Sequence, residues 1–193
     1  MLRRPLVKDP VLISGDIMNA QDSLFDWLAG LEFFGVKLGL SQTRLLFDEL
    51  GSPDRQLKFI HLAGSNGKGS TGAMIEAGLR GAGYTTGFYS SPHLVTVNER
   101  FRLNGEVADD DTVLAALAKV KAAGERMLAK GHKITYFEAT TATAAVIFAD
   151  RKVDFVVWET GMGGRLDATN LVTPLASLIT SISLEHKEYL GDT

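Results

Sequence analysis

The sequence contains no cysteine, and this excludes disulfide bonds and every metal centre that depends on thiolate ligands. It also lacks an excess of either charge, with 20 Lys and Arg against 23 Asp and Glu, a net charge of −3. A nucleic acid or an anionic membrane as partner is therefore not favoured. No run of 18 apolar residues is present, and no apolar stretch follows the first basic residues as in a signal peptide. We expect a soluble, cytoplasmic protein.

The 193 residues suffice for one domain with a substantial core. The composition, 45% apolar and 22% charged, excludes a disordered or fibrous chain. Predicted strands alternate with predicted helices, and the strands are apolar on both faces, which is typical of a parallel sheet covered on both sides. The predicted strands are 57–62, 85–89, 153–158 and 176–182, and the predicted helices are 22–34, 41–50, 68–81, 111–130 and 138–150. Ser41 and Asp111 are predicted N-caps, and Asn104-Gly105 predicts the turn of a hairpin.

A glycine-rich loop, Gly64-Ser-Asn-Gly-Lys-Gly-Ser-Thr71, joins the first predicted strand to a helix. Glycines allow backbone N–H groups to approach phosphate oxygens, and the helix N-terminus adds partial positive charge. The strict pattern G-x-x-x-x-G-K-[ST] fails, because Leu62 takes the first glycine position and Gly69 separates Lys68 from Ser70. The loop still favours nucleotide binding over a plain glycine-rich turn.

Three further segments carry polar groups to the ends of predicted strands. Glu159 ends an apolar strand and is followed by the glycine-rich stretch 161–170, while 90–94 and 183–186 follow two other strands. In open α/β sheets, ligands bind at this carboxyl edge, where carboxylate and hydroxyl oxygens suit Mg²⁺. Each segment alone also fits an ordinary role, as a helix cap, a stiffened turn or a surface histidine. Aromatic Tyr136 and Phe137 equally fit a core or a flat ligand.

Taken together and in order, these motifs resemble folylpolyglutamate synthase and the bifunctional dihydrofolate synthase of the Mur ligase superfamily. The resemblance extends over 39–193 and rests on seven pieces: Leu38-Gly-Leu40, Ala63-Gly-Ser-Asn-Gly-Lys-Gly-Ser70, Ser91-Pro-His-Leu94, Asn98-Glu-Arg100, Tyr136-Phe-Glu138, Glu159-x-Gly-x-Gly-Gly-Arg-Leu-Asp-Ala-Thr-Asn170 and His186-x-x-Tyr-Leu-Gly-Asp-Thr193. It implies an α/β fold, a mostly parallel sheet flanked by helices, of the P-loop NTPase-like central domain of Mur ligases. It also implies that 1–193 is the N-terminal ATP-binding domain, truncated and without the C-terminal domain, so that the isolated chain would not turn over.

The activity implied by the resemblance is ATP-dependent ligation of L-glutamate to a folate or dihydropteroate carboxylate through an acyl phosphate. The family uses two Mg²⁺ ions and acts on small molecules, typically as a monomer. The residues carried over as catalytic are Lys68, Glu159 and His186. The ATP-binding residues would be Gly64, Ser65, Asn66, Gly67, Lys68, Gly69 and Ser70, and the metal ligands Ser91, Glu159 and His186. The residues expected to line the pterin pocket are Lys37, Leu38, Gly39, Leu40, Thr135, Tyr136, Phe137, Glu138, Leu166, Asp167 and Ala168.

The sequence departs from the family pattern at three positions. Lys37 stands where many relatives have an acid, Ser65 where threonine is usual, and Glu185 where aspartate usually precedes the histidine. Three alternatives remain open at the level of sequence. They are a Mur-type ligase acting on another carboxylate, a P-loop phosphotransferase or switch, and a non-catalytic domain that keeps the fold.

Overall fold

The computed structural model describes residues 23–31 and 39–192. The start and end of the first predicted helix, and Lys37 and Leu38, lie outside these residues. The helices are α1 (23–30), α2 (Ser41–Glu49), α3 (Lys68–Gly81), α4 (Asp110–Ala129), α5 (Tyr136–Asp150) and α6 (Lys187–Leu190). The strands are β1 (Phe59–Ala63), β2 (Thr86–Tyr89), β3 (Phe101–Leu103), β4 (Glu106–Val107), β5 (Phe155–Glu159) and β6 (Ala176–Ile179).

The six strands form one sheet in the order β4-β3-β2-β5-β1-β6. The four strands β2, β5, β1 and β6 run parallel, and β3 and β4 add an antiparallel hairpin at one edge. The hairpin turns at Asn104 and Gly105, both with positive φ (50° and 85°), as a two-residue turn requires. The predicted α/β class with a mostly parallel sheet is therefore confirmed.

Helices cover the sheet on both faces, with α3 on one face and α5 on the other. Every residue of α5 from Glu138 to Phe148 is buried, because α2 and α4 pack on its outer side. This explains why α5 is rich in alanine and threonine around its whole circumference rather than along one stripe. Trp158 of β5 lies at the centre of this core, with its ring centroid 4.9 Å from Tyr89 and 5.2 Å from Phe59.

The structure corrects two predicted helix caps and several boundaries. Leu40 is the N-cap of α2 and Ser41 is already helical, with no side-chain cap. Asp109, not Asp111, caps α4 by accepting a hydrogen bond from the Thr112 N–H at 2.7 Å. A run of three aspartates offers three candidate caps, and only the path of the preceding chain decides among them. Helix α5 begins two residues earlier than predicted, β5 spans Phe155–Glu159, and β6 already ends at Ile179.

Gly87 of β2 is required by the packing of α5 on the sheet. A Cβ atom at this position would lie 2.6–2.9 Å from three ring atoms of Phe148, which is fully buried. We expect Gly87→Ala to lower the free energy of unfolding by about 1–3 kcal/mol, because a tight core must shift to admit the methyl group. Chemical unfolding followed by circular dichroism measures this difference.

Gly78→Ala is the matched control for that prediction. Gly78 is an exposed residue of α3, and a Cβ atom there would contact nothing within 4 Å. Since alanine favours a helix over glycine by roughly 0.5–1 kcal/mol, this variant should be more stable than the wild type. A stable Gly87→Ala protein would show that the Phe148 ring does not fix the helix on the sheet.

Candidate active site

The carboxyl ends of the four parallel strands meet at one edge of the sheet, and three of the predicted motifs follow them. Strand β5 lies between β2 and β1, so Glu159 at its end is flanked by the segments that leave those two strands. Leu62 of β1 pairs with Glu159 itself, and the glycine loop begins two residues later. This register brings together the loop, the carboxylate and Ser91, as the sequence predicted from the sheet-edge argument.

The glycine loop adopts a conformation that only glycine permits at two positions. Gly64 has φ of 131°, and a Cβ atom there would lie 2.1 Å from the Thr180 hydroxyl oxygen. Gly67, with φ of 81°, is the N-cap of α3, so Lys68 is the first residue of that helix. The Lys68 ammonium donates hydrogen bonds to the carbonyl oxygens of Gly64 (2.7 Å) and Ser65 (3.4 Å). The lysine thus lies folded over the loop, next to the N–H groups of the first turn.

Hydrogen bonds fix the loop to the segment that follows β6. The Ser65 N–H donates to the Ser181 carbonyl at 2.8 Å, and its hydroxyl donates to the Ser183 carbonyl at 3.1 Å. The Ser183 N–H in turn donates to the Ser65 hydroxyl at 3.0 Å. The serine that replaces the usual threonine therefore anchors the loop through groups that threonine also has.

A cleft of about 480 Å³ opens between the glycine loop and the chain after β6. Its volume is within the range of small-molecule sites. Its lining combines glycine and serine positions and Glu185 with apolar side chains. The residues that line the cleft are Ala63, Gly64, Ser65, Gly163, Gly164, Ile179, Ile182, Ser183, Leu184, Glu185, Leu190 and Gly191.

Glu159 is a buried carboxylate, with only 4% of its surface exposed. Its Oε2 atom accepts a hydrogen bond of 3.4 Å from the Ser91 N–H, and a Cβ atom at Gly69 would lie 3.7 Å from the same oxygen. Burial raises the pKa of Glu159, while the Ser91 N–H and the charge of Lys68 act in the opposite direction. A buried carboxylate with so few donors favours a bound cation, and carboxylate and hydroxyl oxygens are ligands that suit Mg²⁺. Metal ligation by Glu159 and Ser91 stays a prediction.

His186 follows β6 and, unlike the buried Glu159, is exposed to solvent. It has φ of 50° and is the N-cap of α6. Within 39–192 no ion pair joins it to Glu159, and no group of three or more His, Cys, Asp or Glu is arranged to hold a metal ion. Of the predicted metal ligands Ser91, Glu159 and His186, only Glu159 and His186 are of these four residue types. Ligation by His186 therefore stays a prediction.

The segments predicted to line the pterin pocket contact one another through the stretch 161–170. The Gly39 N–H donates to the Leu166 carbonyl at 3.1 Å, which joins two of these segments directly. The segment 135–138 packs against the glycine-rich stretch, since a Cβ atom at Gly161 would lie 2.4 Å from the Phe137 ring. Leu40 precedes α2, and Leu166 is 42% exposed.

Both carboxylates in the predicted pocket have partners within the protein. Glu138 accepts from the Thr135 N–H and hydroxyl (2.8 and 3.0 Å) in a capping box, and from the Thr43 hydroxyl at 3.1 Å. Asp167, 5% exposed, accepts from the Met162 N–H at 2.8 Å and the Thr169 N–H at 2.9 Å. Ala168 is also buried. These groups order the pocket segments, and a direct contact with substrate stays a prediction.

Two residues at this edge were given no role by the sequence analysis. Arg100 is 8% exposed, donates from Nε to His93 Nδ1 at 2.9 Å, and stacks over the Tyr136 ring at 5.4 Å. It thereby connects the segment after β2 with the start of α5. His61 of β1 is buried among polar groups, and the alternation of side chains along a strand is the signal that points it toward the core.

Glu99 holds the loop after Ser91 in place and makes its stability dependent on pH. Its carboxylate accepts from the N–H groups of Leu94, Val95 and Thr96 at 2.8–2.9 Å, which lowers the pKa from the ordinary 4.5 to about 2. A lowered pKa in the folded state contributes stability above the unfolded value and loses it as protons bind. The stability advantage of the wild type over Glu99→Gln should thus be constant above pH 4.5 and vanish toward pH 2.

Paired unfolding curves of wild type and Glu99→Gln at several pH values measure this difference. Glu106→Gln, an exposed glutamate of β4, removes the same charge and serves as control. A constant difference between wild type and Glu99→Gln down to pH 2 would contradict the assigned hydrogen bonds.

Comparison with known proteins places this geometry in a family. No protein-family model matches the chain. It is 44% identical over 179 residues to the dihydrofolate synthase/folylpolyglutamate synthase of Bacillus subtilis (strain 168), a match that covers 92% of this chain and 42% of the relative. The chain thus spans between a fifth and about two fifths of the length of the curated relatives it matches.

Solved structures agree with the sequence comparison. E. coli FolC in complex with DHPP and ADP has a TM-score of 0.80 at 37% identity, covering 88% of this chain and 41% of that one. A bifunctional folylpolyglutamate synthase/dihydrofolate synthase with Mn, AMPPNP and L-glutamate bound has a TM-score of 0.78 at 37% identity, covering 88% and 41%. The sheet flanked by helices is therefore of the Mur ligase type. The chain belongs to the folylpolyglutamate synthase/dihydrofolate synthase family and matches the N-terminal portion of its members.

Proposed function

We propose that the protein ligates L-glutamate to the carboxylate of a folate or of dihydropteroate at the expense of ATP. In this proposal 1–193 is the N-terminal ATP-binding domain, and the further part of the relatives' length supplies the second domain. The observation that carries the proposal is the buried Glu159 carboxylate beside the glycine loop and Ser91. The relatives' structures, which hold ADP, AMPPNP, Mn and L-glutamate, support a nucleotide and a divalent metal at such a site.

The proposed reaction has two steps. An oxygen of the acceptor carboxylate attacks the γ-phosphorus of ATP, the bond from that phosphorus to the bridging oxygen breaks, and ADP leaves with the electron pair. The glutamate amine then attacks the acyl carbon of the acyl phosphate, and the C–O bond breaks to release inorganic phosphate while the amine nitrogen loses a proton. The protein's part is to position the reactants and to offset negative charge.

Each residue at the edge has a defined task in this reaction. The loop from Gly64 to Ser70, with Asn66 exposed at its tip, would bind the ATP phosphates through backbone N–H groups. Lys68 would exchange the loop carbonyls it now contacts for phosphate oxygens. Ser91 and Glu159 would hold one Mg²⁺ ion, and Glu159 with His186 a second. When bound, these ions neutralise phosphate charge during transfer.

The acceptor acid would lie on the side of Glu159 where Gly39, Leu166 and the start of α5 converge. Tyr136 and Phe137 offer aromatic faces to a flat heterocycle there. This arrangement favours a pterin acid over the acceptor of another Mur-type ligase.

None of the helices in the described ranges is both long and apolar enough to span a membrane. We further propose that the protein acts as a monomer in the cytoplasm.

Calorimetric titration of this chain tests the proposal. Mg-ATP should bind saturably, with weaker binding when EDTA removes the metal. Dihydropteroate should then bind in the presence of the non-hydrolysable analogue AMPPCP and Mg²⁺. Phosphate release from ATP that is indifferent to dihydropteroate and glutamate would instead identify a P-loop phosphotransferase.

A further inference from the structure

A buried polar network connects β1 to the segment that follows β5. His61 is only 7% exposed, and its Nε2 atom lies 2.9 Å from the Thr160 hydroxyl and 3.0 Å from the Thr169 hydroxyl. The Thr169 hydroxyl also hydrogen-bonds Asp167 Oδ1 at 2.5 Å. Thr160, Asp167 and Thr169 are themselves at most 5% exposed. A polar network buried to this degree requires matched donors and acceptors, because an unpaired group is costly in the core.

The hydrogen atoms of this network can be assigned from its donors and acceptors. The Thr169 hydroxyl donates its hydrogen to Asp167 Oδ1. The Thr169 oxygen can then only accept from His61, which places the imidazole hydrogen on Nε2. Burial lowers the pKa of His61, so the ring is neutral near pH 7.

The network ends on the backbone of the proposed acceptor pocket. Asp167 accepts from the Met162 and Thr169 N–H groups and so fixes both ends of the glycine stretch. Trp158 Nε1 donates to the Thr169 carbonyl at 3.0 Å, which attaches the same segment to the core. Leu166, held between these anchors, accepts the hydrogen bond from Gly39. The orientation of the pocket segment therefore depends on His61 through Thr169.

The nucleotide site lies on the other face of the sheet from this network. Side chains alternate along β5, so Glu159 points to the α3 face, near Gly69, while Trp158 and Thr160 point to the α5 face. His61 alternates in the same way with Leu62, which packs with Phe88 on the α3 face. A change at the His61 side chain thus reaches the acceptor pocket by three hydrogen bonds, on the sheet face opposite to Glu159.

We propose that His61 is a positioning residue for the acceptor acid, acting through Thr169 and Asp167 on the segment from Met162 to Thr169. The proposal rests on the proposed function for the identity of that acid. His61→Leu should raise the exchange rates of the Met162 and Thr169 amide hydrogens by about tenfold, the equivalent of one buried hydrogen bond. It should weaken dihydropteroate binding by about tenfold in AMPPCP and Mg²⁺ while Mg-ATP affinity changes less than about twofold. His61→Gln, which keeps an N–H donor near Nε2, should restore both.

Three controls make the outcome decisive. The Val156 N–H donates to the Lys58 carbonyl at 2.8 Å on the same sheet, away from the network, and its exchange should not change. If His61→Leu fails to fold, Thr169→Val breaks the same link with little change of shape and should give the same pattern. Unchanged exchange at Met162 and Thr169, or equal loss of both ligands, would overturn the positioning role. Wild type that binds Mg-ATP but no dihydropteroate would overturn the substrate assignment, and the exchange rates would still decide whether His61 holds the segment.

Discussion

Lys68→Ala is expected to weaken Mg-ATP binding by about 100-fold while the chain stays folded. Hydrogen bonds to a charged group contribute roughly 1.5–3 kcal/mol each, and about 1.4 kcal/mol corresponds to a tenfold change in affinity. The Lys68 ammonium donates hydrogen bonds to carbonyls of its own loop, at Gly64 and Ser65, and the loop is also held by the Ser65 hydrogen bonds to the chain after β6. Calorimetry measures the affinity, and circular dichroism verifies the fold.

Lys58→Ala is the matched control for this charge change. Lys58 is exposed at the amino end of β1, roughly 17 Å of strand away from the loop, which is beyond the screening length in physiological salt. Its removal should leave Mg-ATP affinity unchanged. Equal weakening by both variants would mean that general charge, not a phosphate contact of Lys68, accounts for binding.

Glu159→Gln is expected to abolish most of the metal-dependent part of nucleotide binding, by about 100-fold, and to leave binding in EDTA nearly unchanged. The amide keeps the shape of the side chain but not the negative charge that a divalent cation requires. Parallel titrations of ATP with Mg²⁺ and with EDTA measure the two parts. Equal loss in both conditions would contradict a metal at Glu159. Glu106→Gln, which removes one exposed negative charge on β4, should affect neither.

The same substitution should stabilise the metal-free fold at neutral pH. Burial raises the pKa of Glu159 above its ordinary value of 4.5, so stability is lost as the pH rises above 4.5, and the loss is complete above the raised pKa. Glu159→Gln removes this penalty, and its advantage over the wild type should disappear as the pH falls to 4.5. Unfolding curves in EDTA across this range measure the difference. If Glu159→Gln gains stability and loses metal-dependent binding, the Glu159 carboxylate destabilises the metal-free fold and serves to bind the metal ion.

The local sequence was sufficient for the elements whose signals lie within a few residues. Asn104-Gly105 specified a two-residue hairpin turn because both positions have positive φ. The glycine loop followed by α3 was predicted from glycine freedom and the position between an apolar strand and a helix. The position of Glu159 at the carboxyl edge followed from its place at the end of an apolar run. The ordered motifs also identified the family, since seven pieces in sequence are far more specific than any one.

Other features depended on contacts between distant parts of the chain. Gly87 and Gly161 are required because Phe148 and Phe137 arrive from α5, and no local pattern specifies that approach. Glu138 and Asp167, expected to contact substrate, accept hydrogen bonds from the protein itself, some from Thr43 on another helix. His61 reaches Thr169 across 108 positions of sequence.

Sequence by itself determined the elements, the sheet edge that carries the site and the chemistry of its groups, because these depend on backbone propensity and strand polarity. Only the tertiary structure decided which polar groups face a ligand and which are buried in the fold, because satisfying a buried polar group is a property of its neighbours in space.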